Sequence, residues 1–342
     1  MEDSVDNSAA RGNLRTRLRH LSSSVPRRYF ALFRAKRQLA LDVHRLEEEL
    51  RLERALLLEK SHIAETFAGW VPPGHFYSPF PDLIEFDKRS AQLLAPDTQP
   101  AAIDLREEEQ LALFDELAEL MGDVPFPVER GDQDRYYFDN PAYSWADGLM
   151  LHAMLRHVRP RRVVEVGSGY SSAMLLDTTE RWLDPGVELT FVEPFDELLR
   201  SLLRDGDDER VTILDVGVQD VPLDVFTRLQ TGDVLFIDST HVVKAGSDVN
   251  HLFFEVLPAL APGVVVHLHD IFYPFEYPSD WVHEGRAWQE TYLLRAFLMY
   301  NDAFEITWFQ TLMWARHRSV LEARVPDIAR NAGGNLWLRK LR

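Results

Sequence analysis

The carboxyl-terminal half of the chain alternates short apolar runs, rich in β-branched residues, with stretches of helical periodicity. Runs of about four to eight such residues predict strands, and helices between them are typical of a parallel α/β sheet. Five strands are predicted in this way, over residues 162–166, 189–193, 210–215, 233–238 and 263–270. Two later strands are predicted near residues 304–309 and 335–339, after an amphipathic helix over residues 289–300. The pattern therefore predicts an α/β fold with a mostly parallel sheet.

A different helical pattern, rich in Glu and Arg, precedes this region over residues 31–66. Its apolar positions follow a 4-3-4 spacing that is typical of a coiled-coil seam but spans fewer than three heptads, at Leu39, Val43, Leu46 and Leu50. A short coiled coil would make the protein a homodimer, whereas the alternative is a helix that docks on its own domain. We divide the chain into a basic arm, this helix, a helical cap and linker region, and an α/β domain, over residues 1–30, 31–66, 67–130 and 131–342.

Charge is unevenly distributed along the 342 residues, which carry a formal net charge of -18. Between residues 11 and 41 there are nine Lys or Arg residues and no acid, so we expect residues 1–30 to form a disordered arm that is either solvated or weakly attracted to a membrane surface. The rest of the chain is acidic and would repel polyanions, which argues against nucleic acid as a partner.

Composition excludes several kinds of chemistry. The chain contains no cysteine, which excludes disulfides and thiolate catalysis. It has no apolar run of the roughly 18 residues that a membrane span needs, and its amino terminus lacks the apolar core of a secretion signal. We therefore expect a cytoplasmic protein, and a hydrophobic content of 46% excludes wholesale disorder.

A glycine-containing loop follows the first predicted strand of the sheet. Gly167, Ser168 and Gly169 come directly after the strand, and Ser171 and Ser172 are placed to cap a helix that begins there. Glycines let the backbone turn tightly and approach a ligand, so the pattern predicts a nucleotide-type cofactor loop. The alternative is a plain turn between a strand and a helix.

Two acids near this loop indicate which cofactor it binds. Glu193 lies 26 residues after Gly167 at the end of the second strand, where a carboxylate can accept hydrogen bonds from both ribose hydroxyls. Dehydrogenases and methyltransferases share that feature. Glu165, however, lies two residues before Gly167, where an acid would repel a pyrophosphate and attract a sulfonium and an ammonium group.

With these motifs in order, roughly the last 200 residues resemble a class I S-adenosylmethionine-dependent methyltransferase of the catechol O-methyltransferase and cephalosporin-hydroxylase-like branch. The resemblance implies a Rossmann-like, doubly wound sheet of seven strands, here with an N-terminal helical extension. It also implies S-adenosylmethionine as cofactor, with Gln219 at the adenine and Ser171 at the methionine carboxylate. The implied cofactor-binding residues are Glu165, Gly167, Ser168, Gly169, Ser171, Glu193, Gln219 and Asp238.

Polar residues also end the fourth and fifth strands, as Asp238 and as the pair His269 and Asp270. The carboxyl ends of parallel strands face one crevice, so we expect the three side chains to converge. The resemblance implies a divalent metal such as Mg, Mn or Fe at Asp238, His269 and Asp270. Because the branch has an acid where this chain has His269, the imidazole favours manganese, iron or zinc over magnesium.

A candidate general base follows the fourth strand. His241 lies three residues after Asp238, at the place where the catechol branch has a lysine base, and imidazole titrates near neutral pH. The resemblance therefore implies that His241 deprotonates the acceptor, with Asp238 as its catalytic partner. The alternative is a hydrogen-bonded structural histidine. His267 is two residues from His269 on the same strand face; either of the two could be a packed core histidine, and we leave His267 out of the predicted site.

The acceptor is expected to bind next to these residues. Residues 271–288, rich in proline and aromatic residues, are interpreted as a substrate lid or, alternatively, as a packed surface loop. Tyr143, Ser144 and Trp145 are weaker candidates for contact with the methionine end of the cofactor. The expected reaction is O-methylation of a small-molecule or sugar hydroxyl in bacterial glycan or secondary-metabolite biosynthesis.

Two other functions remain open at this point. One is a nicotinamide-dependent oxidoreductase on a similar Rossmann sheet, which Glu165 and the absence of a third glycine at Ser172 disfavour. The other is a non-catalytic interaction protein that acts through its coiled coil and whose fold is a relic. Acids at three successive strand ends argue against that second function.

Overall fold

The computed structural model describes residues 32, 34–58, 70–122, 124–131 and 134–342. The chain divides into two compact units, Met1–Pro72 and Pro73–Arg342. In the first unit, residues 34–58 form helix α1, which confirms the predicted helix over that part; the basic arm, residues 1–30, lies outside the described residues. Leu39, Val43, Leu46 and Leu50 on α1 are all exposed.

The second unit is built on one mixed sheet. Its seven described strands are β1 (Arg162–Val166), β2 (Glu188–Val192), β3 (Val211–Leu214), β4 (Val234–Ile237), β5 (Val265–Leu268), β6 (Phe304–Phe309) and β7 (Leu336–Lys340). They are arranged in the order β3-β2-β1-β4-β5-β7-β6. Strands β1 to β5 are parallel to their neighbours in that group, and β7 is antiparallel to both β5 and β6. The Rossmann-like, doubly wound, mostly parallel sheet predicted from the sequence is confirmed.

The central strands are buried on both faces, which explains their continuous apolar sequences. Every residue of β4 and β5 is buried, and β1 pairs with β2 on one side and with β4 on the other. Strand order reverses direction between β1 and β4, so a crevice opens beyond the carboxyl ends of these two strands. The fold thus places Gly167, Glu193 and Asp238 around one opening.

Helices cover both faces of the sheet. The longer ones are α2 (Leu83–Leu93), α3 (Glu107–Met121), α4 (Trp145–Val158), α5 (Tyr170–Trp182), α11 (Glu290–Leu298) and α12 (Gln310–Arg324). Shorter helical segments are α6 (Glu197–Leu202), α7 (Asp224–Thr227), α8 (Asp248–His251), α9 (Leu257–Ala259) and α10 (Ser279–His283), with a π-helix over Leu252–Val256 between α8 and α9. Among the described helices there is none with the length and apolar character of a membrane span.

Residues 73–130, which the sequence analysis assigned to a cap, pack into the same compact unit as the sheet. Phe114 on α3 stacks on Trp308 of β6 with ring centroids 5.6 Å apart. The Gln110 side chain on α3 makes two buried hydrogen bonds to backbone groups. Its Nε2 donates to Leu105 O at 2.5 Å, and its Oε1 accepts from Phe309 N of β6 at 2.7 Å. These buried contacts make α3 part of the core.

Candidate functional site

The loop after β1 needs a glycine at position 167 for two reasons. Gly167 has a φ of +83°, a conformation that L side chains rarely adopt. A Cβ atom at this position would also lie 1.7 Å from the carbonyl oxygen of Asp238. Gly167 N donates to Val192 O at 3.0 Å, and Asp238 N donates to Val166 O at 2.8 Å. The ends of β1, β2 and β4 are therefore held together by backbone contacts.

The carboxylate of Glu193 is held in place by backbone groups on both sides. Its Oε2 accepts a hydrogen bond from Ser168 N at 3.0 Å, and its Oε1 accepts one from Phe195 N at 2.8 Å. Each carboxylate oxygen can accept more than one hydrogen bond, so both remain able to bind a ligand hydroxyl. This side chain is therefore oriented before any ligand binds.

A cavity of about 380 Å³ opens at this position. Its volume lies within the roughly 300–1,000 Å³ of typical small-molecule sites. Its lining includes Gly167, Glu193, Phe195, Gln219, Asp238 and Lys244. Four of these were predicted from the sequence as cofactor-binding residues, whereas Phe195 and Lys244 were not. The Phe195 side chain is 77% exposed at the cavity. Its only signal in the sequence is that an aromatic residue follows two positions after Glu193, the acid at the end of the strand.

The remaining predicted cofactor residues, Glu165, Ser168, Gly169 and Ser171, do not line this cavity. Glu165 is completely buried, and Ser172 Oγ donates to its Oε2 while accepting from Gly169 N at 3.0 Å. Burial raises the pKa of Glu165 to about 8, so its carboxyl group is mostly neutral at pH 7. Ser171 is also buried. The attraction of a cationic cofactor by Glu165 stays a prediction. The buried environment of Glu165 disfavours this attraction, because a neutral carboxyl group carries no negative charge.

Four titratable side chains meet where β4 and β5 end. His269 Nδ1 lies 3.3 Å from Asp238 Oδ1 and 3.6 Å from Asp270 Oδ1. His241 Nε2 lies 3.4 Å from Asp238 Oδ1 and 3.5 Å from Asp270 Oδ2. The structure thus brings together Asp238, His269 and Asp270, as their positions at strand ends predicted, and adds His241.

A candidate metal centre lies within this cluster. One ligand atom each from Asp238, His241 and Asp270 lies within 4.8 Å of the other two. This group contains His241 in the place that the sequence analysis gave to His269. The second nitrogen of His269, Nε2, points instead toward Asp147 Oδ2, 3.8 Å away. Two carboxylates and one imidazole form a donor set that suits several divalent transition metals.

The charges around His241 oppose the role of free base. Burial lowers the pKa of His241, but the carboxylates of Asp238 and Glu290 outweigh burial and raise it to about 10. Burial raises the pKa of Asp238, and the two histidines outweigh it and hold this pKa well below its ordinary value. His241 is therefore protonated at neutral pH when no other cation is bound, and an imidazolium cannot accept a proton.

Glu290, at the first position of α11, was missed by sequence reasoning. The side chain is 1% exposed, and its Oε2 accepts a hydrogen bond from His241 Nδ1 at 2.8 Å. It lies 49 residues from His241 in the sequence, and only an acid at the start of a predicted amphipathic helix marks it. Neither the spacing of the strands nor the order of the motifs indicates that Glu290 belongs to the site.

His267 is part of the core. Its ring is fully buried, stacks on Phe236 with centroids 4.0 Å apart and lies 4.6 Å from Trp337. Burial holds the pKa of His267 well below its ordinary value, so the ring is neutral. Among the described residues its two nitrogens have no hydrogen-bond partner. This surrounding agrees with its omission from the predicted site.

The aromatic segment after β5 lies beside the cluster. The Trp288 ring lies 4.5 Å from that of His241, and Trp281 lies 5.3 Å from Trp288. The guanidinium group of Arg286 lies 4.1 Å from the centre of the Trp281 ring. This position is compatible with an acceptor-binding lid, which stays a prediction.

The three candidate residues at the start of α4 have different surroundings. The Tyr143 ring lies 5.0 Å from that of His269, so this side chain belongs to the floor of the cluster. Ser144 Oγ instead accepts from Asn331 Nδ2 at 2.9 Å, and Trp145 stacks on Phe138 at 4.4 Å. Ser144 and Trp145 therefore make contacts that hold the fold together.

A family model and a related protein each match part of this chain. Residues 164–271 match the family model of a methyltransferase domain. An uncharacterized protein of Archaeoglobus fulgidus is 32% identical over 184 residues, which are 52% of this chain and 82% of that protein.

Solved structures show weaker likenesses. The O-methyltransferase TomG of Streptomyces achromogenes, involved in tomaymycin synthesis and solved with S-adenosylmethionine, is 18% identical. The match covers 75% of this chain and 96% of TomG, with a TM-score of 0.38. An O-methyltransferase of Bacillus cereus, solved with S-adenosylhomocysteine, is 14% identical over 75% of this chain and 97% of its own, also with a TM-score of 0.38. Similarity at this level does not carry the activity of either protein over to this chain.

Proposed function

The chain belongs to the class I S-adenosylmethionine-dependent methyltransferases, and we propose that it is an O-methyltransferase for a small-molecule or sugar hydroxyl. We propose bacterial glycan or secondary-metabolite biosynthesis as its setting. One observation carries the proposal: the cavity at the strand-order reversal, lined by Glu193, adjoins the cluster of Asp238, His241, His269 and Asp270. A cofactor site and a candidate acceptor site therefore share one wall, as methyl transfer between two bound reactants requires.

The cofactor is proposed to bind with its ribose hydroxyls on Glu193 and its adenine beside Phe195 and Gln219. Its methionine end would then lie at the loop of Gly167, Ser168 and Gly169, above Glu165 and Ser171. Asp238 lines the same cavity, and its pKa, held low by the neighbouring histidines, keeps it ionised. This carboxylate supplies a negative charge for the sulfonium and ammonium groups.

The acceptor is proposed to bind between the acid and histidine cluster and the aromatic segment that carries Trp288. A divalent ion such as Mg, Mn or Fe, held by Asp238 and Asp270 with an imidazole from His269 or His241, fits the donor set of this cluster. Such an ion would lower the pKa of a bound hydroxyl. The side chains of this chain would position that hydroxyl toward the methyl group.

Calorimetry with S-adenosylmethionine tests the proposal most directly. We expect saturable binding and a rise in the thermal midpoint of unfolding, because a ligand that binds only the folded state stabilises it. NADH serves as the matched control, since a nicotinamide-dependent oxidoreductase would show the opposite preference. Absence of both heat and thermal shift with saturating S-adenosylmethionine would contradict the proposal. Uptake of labelled methyl groups by a panel of sugars and phenols would then identify the acceptor class.

We expect methyl transfer to depend on a divalent metal. Treatment with a chelator should abolish turnover, and addition of Mn²⁺ or Mg²⁺ should restore it, because charge stabilisation of a developing alkoxide by a metal contributes several kcal/mol. Rates are measured with the same acceptor before and after restoration. Unchanged turnover in excess chelator would mean that no metal is needed and that the residues of the cluster only orient the acceptor.

We also propose that α1 mediates a homodimer. The apolar positions Leu39, Val43, Leu46 and Leu50 are between 45% and 65% exposed, and a second copy of the helix could cover them. Light scattering at micromolar concentration should give twice the mass of the 39.5 kDa chain. A monomer under these conditions would exclude this role for α1.

A further inference from the structure

His241 has two distinct environments, one at each ring nitrogen. Nδ1 makes a hydrogen bond of 2.8 Å with the buried carboxylate of Glu290. Nε2 lies 3.4 Å from Asp238 and 3.5 Å from Asp270, well beyond the roughly 2.7–2.9 Å of a charge-assisted hydrogen bond. The ring is therefore tightly bound on one side, and on the other it faces two carboxylates across a gap.

The start of α11 holds His241 by its backbone as well as by its ring. His241 O accepts hydrogen bonds from Gln289 N at 3.0 Å and from Glu290 N at 3.2 Å. Gln289 Oε1 accepts from Val243 N at 3.1 Å, and the Trp288 ring packs on the imidazole. His241 also has a φ of +60°, an uncommon conformation for a residue with a side chain. Several contacts thus fix one orientation of this ring.

His269 is held differently. Its Nδ1 lies 3.3 Å from Asp238, and its Nε2 lies 3.8 Å from Asp147, too far for a hydrogen bond. The other oxygen of Asp147, Oδ1, accepts from Gly334 N at 2.9 Å and from Asn335 Nδ2 at 2.7 Å, which holds this carboxylate in place. His269 therefore lacks a close buried carboxylate on its far nitrogen, which His241 has.

Histidines that bind metals almost always donate their other ring N–H to a carboxylate, a carbonyl or water, which fixes the ring and strengthens it as a ligand. We propose that His241 Nε2, Asp238 and Asp270 bind one divalent transition metal and that Glu290 is the positioning residue that orients His241 toward it. This assigns His241 the role of ligand in place of general base. The purpose of the metal in this inference rests on the proposed function, whereas the test measures metal binding alone.

The imidazole ligand defines the class of ion. Nitrogen donors favour manganese, iron, cobalt or zinc over magnesium or calcium, which prefer oxygen ligands. We therefore expect Mn²⁺ and Co²⁺ to bind more tightly than Mg²⁺. The absorption of bound Co²⁺ in the visible range depends on the number, geometry and kind of its ligands, so replacing an imidazole ligand is expected to change it.

The test uses the full chain, stripped of metal, with Mn²⁺ calorimetry and Co²⁺ absorption. In Glu290→Gln we expect Mn²⁺ affinity to fall about 10- to 100-fold, the usual cost of losing a partner of a metal-bound histidine. His241→Gln should lower affinity further and change the Co²⁺ spectrum, and its effect on both should be larger than that of His269→Gln, because His269 contacts the two carboxylates without being a ligand.

Glu276→Gln is the matched control, because Glu276 is a partly buried acid of the aromatic segment that precedes α11, and it accepts from Tyr292 OH at 2.9 Å. It should change Mn²⁺ affinity by no more than about 3-fold, as expected of a substitution without contact to the metal. If Glu290→Gln fails to fold, Glu290→Asp replaces it, and partial recovery of affinity is expected there.

Three outcomes would overturn the inference: no binding of Mn²⁺ or Co²⁺, equal effects of the Glu290 and Glu276 variants, or a larger effect of His269→Gln than of His241→Gln. S-adenosylmethionine calorimetry on the same proteins separates this inference from the proposed function. Normal cofactor binding together with any of these three outcomes would leave the methyltransferase proposal intact. If the unsubstituted protein binds the metal but does not bind S-adenosylmethionine, only the methyltransferase proposal is refuted.

Discussion

Replacing Glu193 by alanine is expected to raise the Kd for S-adenosylmethionine by about 100-fold or more. Hydrogen bonds to charged groups contribute roughly 1.5–3 kcal/mol each, and losing two of them at the ribose exceeds the 2.7 kcal/mol that corresponds to about 100-fold. The substitution also releases Ser168 N and Phe195 N, which hold the loops on either side of the cavity. Calorimetry on the purified variant measures the change.

The matched control for Glu193 is Glu188, at the other end of the same strand. Its side chain is 69% exposed and pairs with Arg162 at 3.1 Å, away from the cavity. Glu188→Ala should leave the Kd within about 3-fold, as is usual for a surface substitution. Equal losses in the two variants would show that β2 contributes to binding only through its stability.

Asp238→Ala should show the opposite balance, with cofactor binding weakened far less than in Glu193→Ala and turnover lowered by about 10³-fold. A catalytic or orienting side chain typically contributes 10²- to 10⁴-fold to the rate, whereas Asp238 is one of several groups on the cavity wall. Steady-state rates and cofactor calorimetry are measured on the same preparation. Loss of binding in the Asp238 variant with normal turnover in the Glu193 variant would mean that the roles of β2 and β4 are exchanged.

Replacing Arg135 by alanine is expected to lower the free energy of unfolding by about 3–5 kcal/mol, the typical result of leaving buried charges unpaired. The Arg135 side chain is 2% exposed and contacts two buried acids. It donates to Asp177 at 2.5 Å and, through two nitrogens, to Asp207 at 2.7 and 2.6 Å. Asp177 and Asp207 would both lose their buried counter-charge. Urea unfolding followed by circular dichroism measures the loss.

Arg228 provides the comparison for Arg135. It pairs with Asp224 at 2.8 Å, but both side chains are more than 60% exposed. Arg228→Ala should therefore cost less than about 1 kcal/mol, since exposed ion pairs are screened by water. A similarly small loss for Arg135→Ala would mean that water or rearrangement compensates the two acids.

Much of the fold was predictable because it depends on local patterns. Each predicted strand lies within a few residues of an observed one, since alternation and β-branched runs are set by adjacent residues. The helix α12 was not predicted, because most of its buried residues lie in the first turn and give no sustained helical period. The strand ends also located Gly167, Glu193, Asp238 and Asp270, because parallel strands open on one crevice.

The sequence by itself determined which elements form and which polar residues end the strands at the cavity. Only the tertiary structure decided which of those groups carry charge and which partners they have. Glu165 is neutralised by burial behind its own loop, and His241 is charged because the carboxylates of Asp238 and of Glu290, the latter 49 residues away, lie against it. Burial and distant contacts control both ionisation and orientation, and neither is encoded in the spacing of neighbouring residues.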